Sequence, residues 1–446
     1  MNTKPDEPPP GSFIRAESLL ANHRVSPMSE TLRVLEAEVR EVPRTTQLQP
    51  LAPVIVKGKF FFVDGEKFFI RGVTYGPFAP ASHGAPFPER DRVKQDFTLM
   101  RELGANTLRT FTVPPGWLLD MAAAHGLRVI VGIPWAEHVA FLDAPQITRQ
   151  IRQTIEAGVR ACRGYTSVLA CLVGNEIPPE MARWHGPERV RGFLRDLVGI
   201  VKTVDPDRLV SYANFPSTEY LDVDFADFVS FNVYLHHEES FRGYLSHLHN
   251  LSEDKPLVLT EFGIDSIREG EELQAKILDW QVKAGFETGL AGEVIFAWTD
   301  DWYALPLSGA GGFQVEDWAF GLVDLQRNKK AAFYAVQAGF LSELPPALPE
   351  YPKVSVVVCA YNADRTMAAC LASLENLRYP NYEVIVVNDG STDRTQEISE
   401  QYDYIQLINQ ENKGLSAARN VGIAAATGEI APVRSHLRHV ISGRIA

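Results

Sequence analysis

The 446-residue sequence predicts an α/β protein: a (β/α)8 barrel followed by a second, smaller α/β unit. Three observations predict it. Eight short apolar runs alternate with amphipathic stretches over about 250–290 residues, the span of one such barrel. Chemically reactive side chains recur at the C-terminal ends of those runs, the edge on which a barrel builds its site, and this favours a barrel over a doubly wound open sheet. A proline-rich stretch, Leu344-Pro345-Pro346-Ala347-Leu348-Pro349-Glu350-Tyr351-Pro352, then precedes a new strand–helix alternation.

In chain order, residues 1–53 read as a tail. Leu32, Leu35 and Val39 fall at helical spacing, so a short helix from Ser29 to Val42 is expected there. Phe60 to Val63 and Lys67 to Arg71 flank Asp64-Gly65, a hairpin whose turn needs positive φ. The barrel unit is expected over residues 54–341. Its candidate strands are 69–75, 107–112, 128–133, 168–175, 209–213, 228–234, 257–261 and 294–298. Apolar stripes between them mark helices: Val93, Phe97, Met100 and Leu103; Ile147, Ile151, Ile155, Val159 and Cys162; Val190, Phe193, Leu194, Leu197 and Val201; Leu273, Ile277, Trp280 and Ala284. A linker is expected over 342–352 and the second unit over 353–446, with strands at 354–359, 384–388 and 405–408 and helices near 367–377 and 416–425.

Composition narrows the function. A formal net charge of −13 disfavours a nucleic-acid partner, whereas a carbohydrate is neutral and is not repelled. The 4 cysteines form no Cys-x-x-Cys pair and read as reduced thiols. The N-terminus has no apolar signal-like segment, and no run of about 18 apolar residues offers a membrane span, so a cytoplasmic location is expected.

Two runs carry the chemistry. Leu172-Val173-Gly174-Asn175-Glu176 and Leu257-Val258-Leu259-Thr260-Glu261-Phe262-Gly263 are apolar strands that end on glutamate. A buried unpaired carboxylate is costly, so a glutamate at such an end belongs in a pocket. Two of them in one barrel mouth are the equipment of a retaining glycosidase, whose carboxyl groups stand about 5–5.5 Å apart. Other strand ends fit around them. Asn175 is placed to hold a sugar 2-hydroxyl, Arg109 to orient and ionise Glu261, and Tyr234 to hydrogen-bond the same carboxylate. Trp298 is expected as the floor under the sugar ring, with Trp135 and Trp302 as further sugar platforms. His125 precedes Gly126 at a helix end and reads as a cap. His236-His237-Glu238 is too sparse for a metal site, and neither a metal nor a cofactor is expected.

With these residues in place, the barrel resembles clan A glycoside hydrolases, the group that contains families 2 and 5. The matching positions are Arg109, Asn175-Glu176, Tyr234, Thr260-Glu261-Phe262-Gly263 and Trp298, each on its own strand, over about residues 54–340. Phe69-Ile70-Arg71-Gly72-Val73-Thr74-Tyr75 and Phe320-Gly321-Leu322-Val323-Asp324 with Lys330 resemble the opening and close of a family 2 catalytic domain. The resemblance implies Glu176 as acid/base, Glu261 as nucleophile, retention of configuration and a β-linked oligo- or polysaccharide partner. The sequence departs from the family where strand three ends in Ile133-Pro134-Trp135 without a histidine. It departs again in the aromatic loop that carries Trp302, Tyr303, Phe313 and Trp318, and in the lack of β-sandwich sequence between the tail and the barrel.

The second unit contains Val354-Ser355-Val356-Val357-Val358-Cys359-Ala360-Tyr361-Asn362, then Val386-Val387-Asn388-Asp389-Gly390-Ser391-Thr392-Asp393, then Asn412-Lys413-Gly414-Leu415-Ser416-Ala417-Ala418-Arg419-Asn420. Small and acidic residues at strand ends suit nucleotide binding at the carboxyl edge of a sheet. Together the three segments resemble a family 2 glycosyltransferase of the GT-A (Rossmann-like) type. This implies a nucleotide-sugar donor with Asp389 and Asp393 on its nucleoside side. The metal-binding Asp-x-Asp of that family belongs after Gly428-Glu429-Ile430, where this sequence reads Ala431-Pro432-Val433-Arg434. A partial transferase unit with weak nucleotide-sugar binding is therefore expected.

Overall fold

The computed structural model describes residues 50–82, 84, 86–304, 312–342, 351–375, 377, 379–428 and 433–434. The expected helix at 29–42, most of the linker and the segment after Gly428 where an Asp-x-Asp was sought lie outside them, apart from 433–434.

Three antiparallel strands come first: β1 (Ile55–Lys57), β2 (Phe60–Val63) and β3 (Glu66–Phe68). Asp64 and Gly65 turn between β2 and β3 at φ 50° and 88°, the positive values the Asp-Gly pair predicts. This sheet stoppers the barrel. Phe61 is fully buried among Ile70, Leu172, Val258 and Val294, and its ring meets Phe228 edge to face at 5.5 Å.

Eight parallel strands close the barrel: β4 (Ile70–Thr74), β5 (Thr107–Thr110), β6 (Arg128–Gly132), β7 (Val168–Asn175), β8 (Leu209–Asn214), β9 (Val229–Asn232), β10 (Leu257–Phe262) and β11 (Gly292–Ile295). Their side chains alternate with period two. Leu108, Val129, Val131, Cys171, Val173, Val210, Tyr212, Phe231 and Leu259 face the helix layer and join the large core. Ile70, Ile130, Leu172, Ala213, Val258 and Val294 fill the lower barrel. The inward positions nearest the C-terminal edge are polar, and there the site forms.

The helices bury the expected stripes. Ile151, Ile155, Val159 and Cys162 are buried on helix Pro145–Cys162, and Val190, Phe193, Leu194, Leu197 and Val201 on helix Pro187–Val204. Helix Glu271–Glu287 differs by one position. Ile277 and Ala284 are buried as expected, together with Gln274, Leu278, Gln281 and Val282, while Leu273 is exposed and Trp280 half-buried. The two amides explain the offset, since Gln274 donates to the Ile264 carbonyl and Gln281 to that of Leu235, satisfying loop groups that hydrophobic periodicity does not register. Glu293 of β11 also turns toward the helices. It is 1% exposed, and neither carboxyl oxygen has a hydrogen-bond partner. Burial alone pushes its proton affinity well above the ordinary carboxylate range.

After a short hairpin, β12 (Tyr303–Ala304) with β13 (Phe313–Gln314), and helix Ala331–Phe340, the second unit begins. Strands β14 (Val354–Ala360), β15 (Tyr382–Asp389), β16 (Ile405–Gln410) and β17 (Val433–Arg434) form a parallel sheet in the order β16-β15-β14-β17. Helix Leu415–Ala425 packs so closely on it that a Cβ at Gly422 would stand 2.2 Å from Val357. The four cysteines are free thiols, and no helix among the described residues is long and apolar enough to cross a membrane.

Candidate active site

Strand register brings the polar side chains together. In β9 and β10, Glu261 pairs directly with Asn232. Arg109 on β5 is 1% exposed and reaches across the barrel to both. Its Nη1 donates to Glu261 Oε1 at 2.8 Å, to Asn232 Oδ1 at 3.2 Å and to the Thr260 carbonyl at 2.7 Å, while Nη2 donates to Asn175 Oδ1 at 2.6 Å. Tyr234 lies just beyond β9, held by Val233 N–H donating to the Glu261 carbonyl, and its hydroxyl donates to Glu261 Oε2 at 2.8 Å.

Asn232 sits between the two glutamates. Its Nδ2 donates to Glu176 Oε1 at 2.9 Å and to Glu261 Oε1 at 3.0 Å. Those two oxygens are therefore no farther apart than the sum of these distances, about 5.9 Å. The amide orientation is fixed from behind, because Oδ1 accepts from Arg109 and from Thr260 Oγ1.

The glutamates have unequal surroundings. Glu261 is 6% exposed and receives hydrogen bonds from Arg109, Asn232 and Tyr234. Glu176 is half-buried, with Asn232 as donor to Oε1. Its backbone is left-handed at φ 50°, a conformation that costs a non-glycine residue about 1 kcal/mol or more and is held by Glu176 N–H donating to Ala213 and Ile177 N–H to the Tyr212 hydroxyl. Burial pushes the Glu261 carboxyl up to about 7, against the downward pull of Arg109 and of the Tyr234 hydroxyl. Arg109 and Tyr234, both expected to favour the ionised form, pull in that direction, and desolvation opposes them.

A third carboxylate enters from the loop after β6. Glu137 Oε1 accepts the Asn175 backbone N–H at 2.9 Å. Burial raises its carboxyl to about 8. No periodicity marks a loop residue, so no signal in the amino-acid pattern points to it. Asn232 was legible in principle, since it lies two residues before Tyr234 on the same strand face.

The aromatic assignments change. Trp298 is fully buried in the barrel–helix core beside Phe333, with ring centroids 6.4 Å apart, and offers no face to a sugar. β11 ends at Ile295, three residues earlier, so Trp298 is carried past the mouth. Phe296 and Phe320 instead lie next to Tyr234, each 6.2 Å from its ring. Trp135 also belongs to the core. It packs on Phe141 and Phe193, and its indole N–H donates to the Val173 carbonyl at 2.8 Å. Trp302 is half-buried, 4.9 Å from Phe296 and 5.2 Å from Phe111, which also lies 6.3 Å from Phe296 and 4.7 Å from the Arg109 guanidinium.

Among the described residues, no cluster of three or more histidine, cysteine or carboxylate side chains could hold a metal ion. In the second unit, Asp389 is 4% exposed and its Oδ1 accepts from Lys413 N–H and Gln410 Nε2. Asp393 holds two loops together: Oδ1 accepts from Thr395 and Oδ2 from Asp364 N–H. Both oxygens brace these loops, and the side chain is half-buried.

Residues 54–282 match the family model for glycosyl hydrolases family 2, TIM barrel domain. The chain belongs to that family. Residues 355–431 match glycosyl transferase family 2, so the family 2 hydrolase barrel is followed by a transferase-type segment. Over 233 residues, 47% of this chain, the protein is 26% identical to 1,3-beta-glucanosyltransferase gel1 of Aspergillus fumigatus. Over 84 residues, 18% of the chain, it is 46% identical to the putative glycosyltransferase EpsH of Bacillus subtilis. These matches span 51% and 24% of the two relatives' lengths. The fold is similar to that of a β-glucuronidase from Ruminococcus gnavus, with TM-score 0.53 and 20% identity over 65% of this chain and 52% of that one. It is also similar to the Bifidobacterium dentium β-glucuronidase, with TM-score 0.54 and 18% identity over 65% and 48%.

Proposed function

We propose that the barrel, assigned to residues 54–341, cleaves or rearranges β-linked glycans by a retaining double displacement. The observation that carries this reading is the single Asn232 amide nitrogen within 3.0 Å of both glutamates. An upper bound of about 5.9 Å between those two oxygens is compatible with the about 5–5.5 Å of a retaining pair and lies below the about 6.5–9.5 Å of an inverting one. Glu176, as the acid, gives its proton to the glycosidic oxygen while the C1–O bond breaks. The Glu261 carboxylate attacks C1 from the opposite face and forms a glycosyl ester. Glu176, now ionised, takes a proton from the incoming hydroxyl, which attacks C1 and releases Glu261. Arg109, Tyr234 and Asn232 hold the nucleophile in line. Asn175, its oxygen tied to Arg109, turns its amide N–H toward the sugar 2-hydroxyl, and Trp302 offers a sugar platform.

Water as the incoming group gives hydrolysis, and a sugar hydroxyl gives transfer. The likeness to a 1,3-beta-glucanosyltransferase supports transfer as the second reading. The second unit, assigned to residues 353–446, is proposed to bind a nucleotide sugar weakly near Asp389. Azide rescue tests the barrel. With an activated aryl β-glycoside, Glu261→Ala should lose turnover and regain it with azide, forming the α-glycosyl azide. Glu176→Ala should keep turnover of substrates with good leaving groups and form the β-glycosyl azide. Reversed products would mean that the two roles are exchanged.

A further inference from the structure

Beyond the two carboxylates, aromatic rings continue outward from the nucleophile. Phe320 stands 6.2 Å from Tyr234 and 5.2 Å from Phe296. Trp318 follows at 6.1 Å from Phe320 and 6.3 Å from Trp302. Tyr234 and Trp318, at the two ends of the series, are each 39% exposed, half-buried Trp302 and Phe320 lie between them, and Phe296 beneath is 6% exposed. Most of these rings meet edge to face, at 61° between Trp302 and Phe296 and 74° between Trp318 and Phe320. Rings packed by their edges keep faces available, unlike rings closed into a stack.

The backbone under the wall is fixed. Val315 N–H donates to the Trp302 carbonyl, Ala319 N–H to Asp265 Oδ1 and Gly321 N–H to Asp300 Oδ1. Exposed Glu316 and Asp317 immediately precede Trp318, so the outer end of the wall is acidic.

We propose that this wall, from Tyr234 to Trp318, is a subsite for a neutral β-linked glycan several sugars long, and that the barrel therefore selects chains over single terminal sugars. The inference rests on the glycosidase reading above. Sugar rings carry apolar C–H faces that pack on aromatic faces, while their hydroxyls stay solvated at the rim. A single sugar at the glutamates would leave Trp318 uncovered, whereas a chain would cover the wall ring by ring. The acidic rim repels a polyuronate and admits an uncharged chain.

Calorimetric titration of the full chain tests this with β-1,3- and β-1,4-linked gluco-oligosaccharides, from disaccharide to heptasaccharide, and with an oligomannuronate. Affinity for one of the neutral series should rise about tenfold or more with length, the uronate should bind more weakly, and Trp318→Ala should remove most of the length dependence. Trp318 is half outside the core, and thermal melts check that the variant is folded. An affinity independent of length, no binding by either neutral series, or an unchanged length dependence in Trp318→Ala overturns the subsite. A uronate bound as tightly as the neutral chain overturns its neutrality. Turnover of an aryl β-glycoside, measured alongside, tests the glycosidase reading separately, because it calls on the two carboxylates and a single sugar and not on chain length.

Discussion

Tyr234→Phe removes one hydrogen bond to Glu261 and keeps the ring that lies 6.2 Å from both Phe296 and Phe320. The hydroxyl favours the ionised carboxylate and works against burial and, after it, the neighbouring Glu176 charge, which drive Glu261 upward. A hydrogen bond to a charged group is worth about 1.5–3 kcal/mol, and each pH unit corresponds to about 1.4 kcal/mol, so the loss should move the acid limb of kcat/KM up by about one to two pH units. The sign follows from the role. The nucleophile must be ionised, and a carboxylate with one donor fewer ionises only at higher pH. Activity on the acid side should fall about 10- to 100-fold, with a smaller loss on the alkaline side. The assay is kcat/KM for an aryl β-glycoside across about pH 5–9, with circular dichroism confirming the fold. An acid limb left in place, with an equal loss at every pH, would show that Tyr234 does not tune Glu261. A limb displaced downward would show that the titrating group is not the nucleophile.

Asn232→Ala should lower kcat/KM by about two to three orders of magnitude, since it removes the amide that holds both carboxylates, with aryl-glycoside kinetics as the measurement. Glu293→Gln should change how stability depends on pH. Burial raises this carboxyl's proton affinity, so its contribution is fully present below the ordinary glutamate range and is lost as pH rises. The wild type should therefore lose about 1.4 kcal/mol per pH unit relative to the variant above about pH 5, read from urea unfolding at several pH values. Parallel curves for the two proteins would refute it.

The barrel was legible because its signals are local. Period-two alternation within each strand, stripes on the helices and the Asp64-Gly65 turn are fixed by backbone geometry and need no knowledge of distant partners. The same alternation carried Arg109 to the polar end of the barrel interior, and strand ends carried Glu176 and Tyr234 there. Asn175 and Glu261 share the parity of outward Val173 and Leu259, and join them only through the irregularities after Leu172 and Leu259. Contacts across the barrel were not legible. That Asn232 bridges the glutamates depends on the register of β9 against β10 and on Arg109 arriving from β5. Past the last hydrogen-bonded residue of a strand, periodicity no longer applies. The fate of each ring there is set by packing, which turned Trp298 into the core beside Phe333, tied Trp135 to the Val173 carbonyl and left Phe296 beside Tyr234. Glu137 follows the same rule. Its sequence position is an ordinary loop, and only the folded chain brings it to the backbone that carries Asn175, where loss of water raises its proton affinity.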